Sequence, residues 1–147
     1  MTCLIHGAAA LGRTDKARNA DLAVSFIAAQ TTLSYFTSGV VKLLGADWRN
    51  GRAVERVVRT ETYGHEGLYK VLRAHPWMSE ALSWSTVFIE STFPILSLHP
   101  ITRTTALIAM GGFHVANAKV MGLGRFALAF MATYPAIEAS CRKWSQR

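Results

Sequence analysis

Lys42, Glu90 and His114 each sit within a stretch of apolar and small residues, and of all the side chains in this sequence they are the best placed to hold or move a proton. Lys42 lies in "YFTSGVVKLLGADWRNG", Glu90 in "STVFIESTFPILSL" and His114 in "GGFHVANAK". An amine becomes a base near neutral pH only where desolvation or a neighbouring cation weakens its hold on the proton. A carboxyl in apolar surroundings is either protonated or paired. Each residue also has a plainer reading. Lys42 is only a few residues from the end of its apolar stretch, so its stem could carry the ammonium out to water. Glu90 could clasp Lys42 or a backbone donor. A single histidine in such a helix could serve as an interhelical hydrogen-bonding group.

The neighbours of these residues recur at helical spacing. At roughly 100° per residue, Gln30, Thr31, Ser34, Thr37, Ser38 and Lys42 fall within about 140° of one helix, with Tyr35 at the edge. Ser83, Thr86, Glu90 and Ser97 repeat the theme at spacings of three, four and seven. Asn117 follows His114 on the same face, and Gly111 and Gly112 would allow another helix to approach closely. Two pairs of small residues, Ser34/Ser38 and Gly112/Ala116, are candidate packing faces.

The elements that must position these groups are long apolar blocks. Half of the 147 residues are hydrophobic and 17% are charged, against about a quarter charged in an ordinary soluble domain. Mean hydropathy is +0.19. The composition and blocks together predict an all-α integral membrane protein, a bundle of three to four transmembrane helices. The predicted spans are 22–44, 78–98, 104–124 and a shorter, proline-containing 125–141, within a membrane domain 22–141. The first three reach the roughly 20 residues a helix needs to cross hydrocarbon. A polar segment, 1–21, precedes them and a basic tail, 142–147, follows. Between the first two spans, residues 49–77 place Val54, Val57, Val58, Leu68, Val71 and Leu72 opposite Arg52, Glu55, Arg56, Lys70 and Arg73. That pattern predicts an interfacial amphipathic helical hairpin, flanked by Trp48, Tyr63, Tyr69 and Trp77 at belt positions.

The net charge of +7 does not point to nucleic acid. The basic residues flank apolar blocks, as lipid headgroups favour, and form no aromatic-interleaved patch. Cys3 and Cys141 stand at opposite ends of the chain with no C-x-x-C spacing, so neither a disulfide framework nor a metal site is expected.

Tyr35, Phe36, Gly39, Lys42 and Leu43, followed by Asp47, Trp48 and Gly51, resemble the "YF-x-x-G-x-x-K-L…DW-x-x-G" segment of the vitamin K-dependent gamma-carboxylases and their bacterial relatives, the horizontally transferred transmembrane (HTTM) domain proteins. Downstream, an acidic helix, an arginine turn, a histidine helix, "MGLG" and "F-x-L-x-x-M" follow in the family's order, so the resemblance runs from about Leu22 to Tyr134. It implies Lys42 as the base that deprotonates a reduced quinone, His114 as the matching helix histidine, a quinone or vitamin K-like quinol as cofactor, and a bacterial cytoplasmic membrane as location. The chain departs from the family in lacking spans before the lysine helix and a large extramembrane domain after the last.

Two functions follow from resemblance and departure together. One is an accessory or structural subunit, non-catalytic, packing against membrane lipids and other membrane protein subunits, with Ser34, Ser38, Glu90, Gly112, Ala116 and Asn117 as packing and polar support. The other is half of a split carboxylase-like enzyme acting on a peptide or quinol through Lys42 and His114. The shortened chain favours the first.

Overall fold

Two histidine–proline pairs and two left-handed glycines set the punctuation of this chain. Pro76 and Pro100 each open a long helix, where a missing N–H is no loss. Gly122, at φ 69°, closes the second of them in the left-handed conformation that glycine adopts without penalty. A computed structural model describes residues 2–13 and 17–145. Lys16 of the predicted polar segment and Arg147 of the basic tail lie outside the described residues.

The described residues form helices α1 (Thr2–Gly12), α2 (Ala17–Leu44), α3 (Ala46–Arg49), α4 (Ala53–Val58), α5 (Glu66–Ala74), α6 (Pro76–Leu96), α7 (Pro100–Met121), α8 (Gly124–Met131) and α9 (Tyr134–Ser145). The all-helical expectation stands, and the membrane-spanning part of it is corrected. No described helix is long and apolar enough to cross a membrane. Length is not what fails, because 28, 21 and 22 residues in α2, α6 and α7 give about 42, 32 and 33 Å at 1.5 Å per residue. The deficit is apolarity. Gln30, Thr31, Ser34, Thr37, Ser38 and Lys42 interrupt α2, Ser79, Ser83, Thr86 and Glu90 interrupt α6, and Arg103, His114, Asn117 and Lys119 interrupt α7. The serines and threonines within these blocks lower the mean apolarity of each helix as a whole.

Two further expectations change. The predicted fourth span, 125–141, is divided between α8 and α9 at Ala132 and Thr133, where the buried Thr133 hydroxyl donates to the Phe130 carbonyl at 2.6 Å. The predicted hairpin folds as the helix pair α4 and α5, with part of its apolar side turned on protein and Val71 left 42% exposed. Val58 and Leu72 are each 1% exposed, and both helices pack against α6. The segment before the first predicted span also contains a helix, α1, docked on α2 with Ala8 and Ala23 buried.

α2 is the hub, packing against α6, α1 and α9, while α7 packs against α8 and α6. One buried cluster draws on all the long elements: Tyr35 from α2, Phe93 from α6, Ala106 and Met110 from α7, Phe130 from α8 and Ile137 from α9. α2 and α6 approach closely at Gly39. A Cβ there would lie 2.5 Å from both the backbone nitrogen and the hydroxyl of Ser91 on α6, so only glycine fits. A second fixed point is Arg103, 2% exposed in the first turns of α7. It donates to Glu138 of α9 at 2.7 Å and to the Ser97 carbonyl at the end of α6 at 3.3 Å, joining three helices through one guanidinium.

Candidate functional site

The close contact at Gly39 brings the polar stripe of α2 against α6 one turn further on. Ser34, Ser38 and Lys42 repeat every four residues and therefore share a face. Thr86 and Glu90 do the same on α6. The Lys42 ammonium lies 2.5 Å from Glu90 Oε2 and donates to the Ser38 hydroxyl at 2.5 Å. It also stands 5.2 Å from the centre of the Trp48 ring, a cation–π distance. Glu90 is 5% exposed, so its carboxylate is compensated by the lysine and not by solvent. An ammonium with a carboxylate, a hydroxyl and an indole around it is the protonation state this geometry suits.

Four turns of helix away from the α7 start, His114 is 1% exposed and ringed by aromatic side chains. It stacks on Phe130 with centroids 5.0 Å apart and meets Phe126 edge-on at 5.5 Å. Its Nε2 is 2.7 Å from the Tyr35 hydroxyl, which is itself 3.1 Å from the Tyr134 hydroxyl. A phenol is the stronger acid of the pair, so Tyr35 donates to Nε2, Tyr134 donates to Tyr35, and the imidazole proton resides on Nδ1. That nitrogen is buried and has no hydrogen-bond partner among the described residues. Burial holds the His114 pKa down to about 4 and raises those of Tyr35 and Tyr134 above the ordinary phenol value, so all three are neutral at pH 7.

These two groups open on the same cavity of about 450 Å³. Its polar wall includes Ser34, Ser38, Lys42, Glu90, His114 and Asn117, and its apolar wall includes Trp48, Phe113, Phe126 and Phe130, with Val54 and Val57 of α4. Ala116 also lines it. The volume and the mixture of apolar walls with a few convergent polar groups are those of a small-molecule pocket. Of the eight residues given a catalytic, packing or supporting role in the sequence, Gly112 alone lies elsewhere; it is exposed, and a Cβ there would meet nothing within 4 Å.

Sequence reasoning did not assign roles to Tyr134, Phe126 or Phe130, and left Tyr35 at the edge of its stripe. The available signal was the spacing of Tyr35 four residues after Thr31 and seven after Ala28, which puts the three on one face of α2, and that face is buried. Glu138 is held by Arg103 and Arg142, and those guanidiniums, Arg103 first, keep its pKa below the usual glutamate value.

The HTTM domain family model matches residues 10–140, which include every element that builds the cavity, and the chain belongs to the HTTM domain family. No curated protein and no solved structure matches the chain.

One pH dependence follows from the site. His114 falls from its ordinary 6.5 to about 4 on folding, so the unfolded chain binds more protons between those values. Its contribution to stability is fully present above about pH 6.5 and is lost as pH falls towards 4, a change on the order of 3 kcal/mol. Unfolding free energy measured across that window should decline in the wild type and stay nearly flat in His114→Gln. Below it both proteins should decline together, because Glu138 also has a depressed folded pKa and its stabilisation disappears on protonation.

Proposed function

We propose that this HTTM-domain chain is a non-catalytic accessory or structural component of a larger membrane-bound complex, in which Lys42 and Glu90 act as a clasp between helices. The observation that carries this reading is the ion pair itself: the one amine of the cavity is 2.5 Å from a buried carboxylate. A base must present a free lone pair to its substrate, and an amine so paired does not.

The proposed partners are membrane lipids and other membrane protein subunits. Supporting this, large apolar side chains stand exposed on α2, α6, α7 and the turn before α7, among them Leu44 (75%), Ile95 (71%), Leu98 (74%), Ile101 (74%) and Ile108 (71%). Surfaces of that kind mark interaction faces. We place the chain at a membrane on the same ground.

A second reading is favoured by one specific feature, the cavity beside the lysine. In it, the chain is half of a split carboxylase-like enzyme acting on a peptide or quinol, with Lys42 as base once Glu90 releases it, and His114 and Tyr35 orienting the bound molecule. A quinol, if present, would supply the reducing chemistry; the aromatic wall and the polar groups of the cavity have the character such a ring requires.

Purification of the tagged chain in mild detergent separates the two, with Lys42→Met and Lys42→Arg compared for what accompanies them. Loss of the accompanying subunits in the Met variant, with recovery in the Arg variant, is the expected result. Intact assembly with abolished activity of the complex in both variants would overturn the accessory role and establish the base.

A further inference from the structure

α4 has two sides with different destinations. Val54 and Val57 face the cavity, while Arg52, Arg56 and Arg59, spaced by four and three residues, line a separate polar groove of about 460 Å³. Arg73 of α5 enters the same groove from across it. Like charges at these helical spacings repel, and four arginines lining one concavity set up a positive potential that a counter-charge relieves.

The protein supplies only part of it. Arg56 is paired with Asp47 at 2.6 Å, and Arg73 donates to the Tyr69 hydroxyl at 3.3 Å. Among the described residues no carboxylate is within ion-pair distance of Arg52, Arg59 or Arg73. Glu55 and Glu80 line the groove as well, two carboxylates against four guanidiniums.

The frame is fixed without a ligand. The Ser79 hydroxyl, on a residue 3% exposed, donates to the Gly51 carbonyl at 2.7 Å and accepts from the Glu55 N–H at 3.3 Å, tying the groove's rim to α6. Gly51 has φ 68°, and a Cβ there would come within 2.7 Å of the Glu80 Cβ. Arginine forks held on a rigid rim suit a tetrahedral oxyanion, whose oxygens accept paired N–H bonds.

We propose that this groove, distinct from the Lys42 cavity, binds a phosphate group through Arg52, Arg59 and Arg73, the phosphate being either free in solution or carried by a lipid headgroup. The test uses the full chain and two probes, inorganic phosphate by titration calorimetry and phosphatidylcholine vesicles with or without phosphatidylglycerol by co-sedimentation. All three arginines are exposed, so Arg59→Gln/Arg73→Gln should keep the wild-type circular dichroism; Arg125→Gln, an exposed cation outside the groove, is the control. Binding of inorganic phosphate, weakened about tenfold or more in the double variant and reduced by added salt, would support the site with a soluble ligand. Preference for the phosphatidylglycerol vesicles, lost in the double variant without any binding of inorganic phosphate, would support it with a lipid headgroup. Absence of both, or an equal loss in Arg125→Gln, would overturn it. Neither result bears on the assembly of the Lys42 variants.

Discussion

Lys42→Met is expected to destabilise the purified chain by roughly 3 kcal/mol, because it leaves the Glu90 carboxylate buried without a counter-ion. The lower end of the range for broken buried pairs applies, since the lysine side chain keeps 18% of its exposure while Glu90 keeps 7%. The double variant Lys42→Met/Glu90→Leu should recover most of that loss, for replacing both partners with apolar groups of similar size is often close to neutral. Denaturant unfolding of the two single variants and the double variant forms a cycle, and a coupling well above 1 kcal/mol is the expected outcome. Additive losses would mean that Glu90 finds another partner, and the clasp would be abandoned.

Gly39→Val should be as severe for a different reason. A Cβ at position 39 meets the backbone nitrogen of Ser91 at 2.5 Å and its Cα at 2.9 Å, so α2 and α6 must separate to admit it. Overpacking of this kind costs about 1–3 kcal/mol or more, and here it also pulls Lys42 away from Glu90. Ser91→Ala should not rescue the variant, because the obstacle is main chain. Thermal midpoints of the single and double variants check this, and a rescued midpoint would show that the hydroxyl alone was in the way.

The residues of the cavity were more legible than the character of the helices that carry them. Lys42, Ser34 and Ser38 share a face by their spacing, as do Thr86 and Glu90, and local periodicity is enough to see that. Crossing a membrane depends instead on the mean apolarity of a whole helix, and there the serines and threonines of α2 and α6 weigh more than their small size implies. Tyr35 and Tyr134 were invisible as a pair because 99 residues separate them. Gly39 was quoted within a motif, yet close packing was assigned to Gly111 and Gly112. A glycine's use as a contact point is decided by the element opposite it, and that element cannot be read locally. The Arg103–Glu138 bond was missed likewise, since an arginine in "HPITR" reads as a turn until α9 is placed over it.

The order in which the chain is made sets one more condition on the clasp. Lys42 leaves the ribosome 48 residues before its counter-ion, an interval of roughly 2–10 s at ordinary elongation rates of about 5–20 residues per second. Throughout it α2 carries an unmatched cation, for the Thr31 and Ser34 hydroxyls of its stripe donate within the helix, to the Ile27 and Gln30 carbonyls, and supply no counter-charge. The Tyr134 hydroxyl that bonds Tyr35 arrives later still, with α9. A nascent chain stalled once α5 but not α6 has emerged would therefore display the lysine to whatever anionic surface or chaperone stands at the tunnel exit, and release from that escort would coincide with the emergence of Glu90.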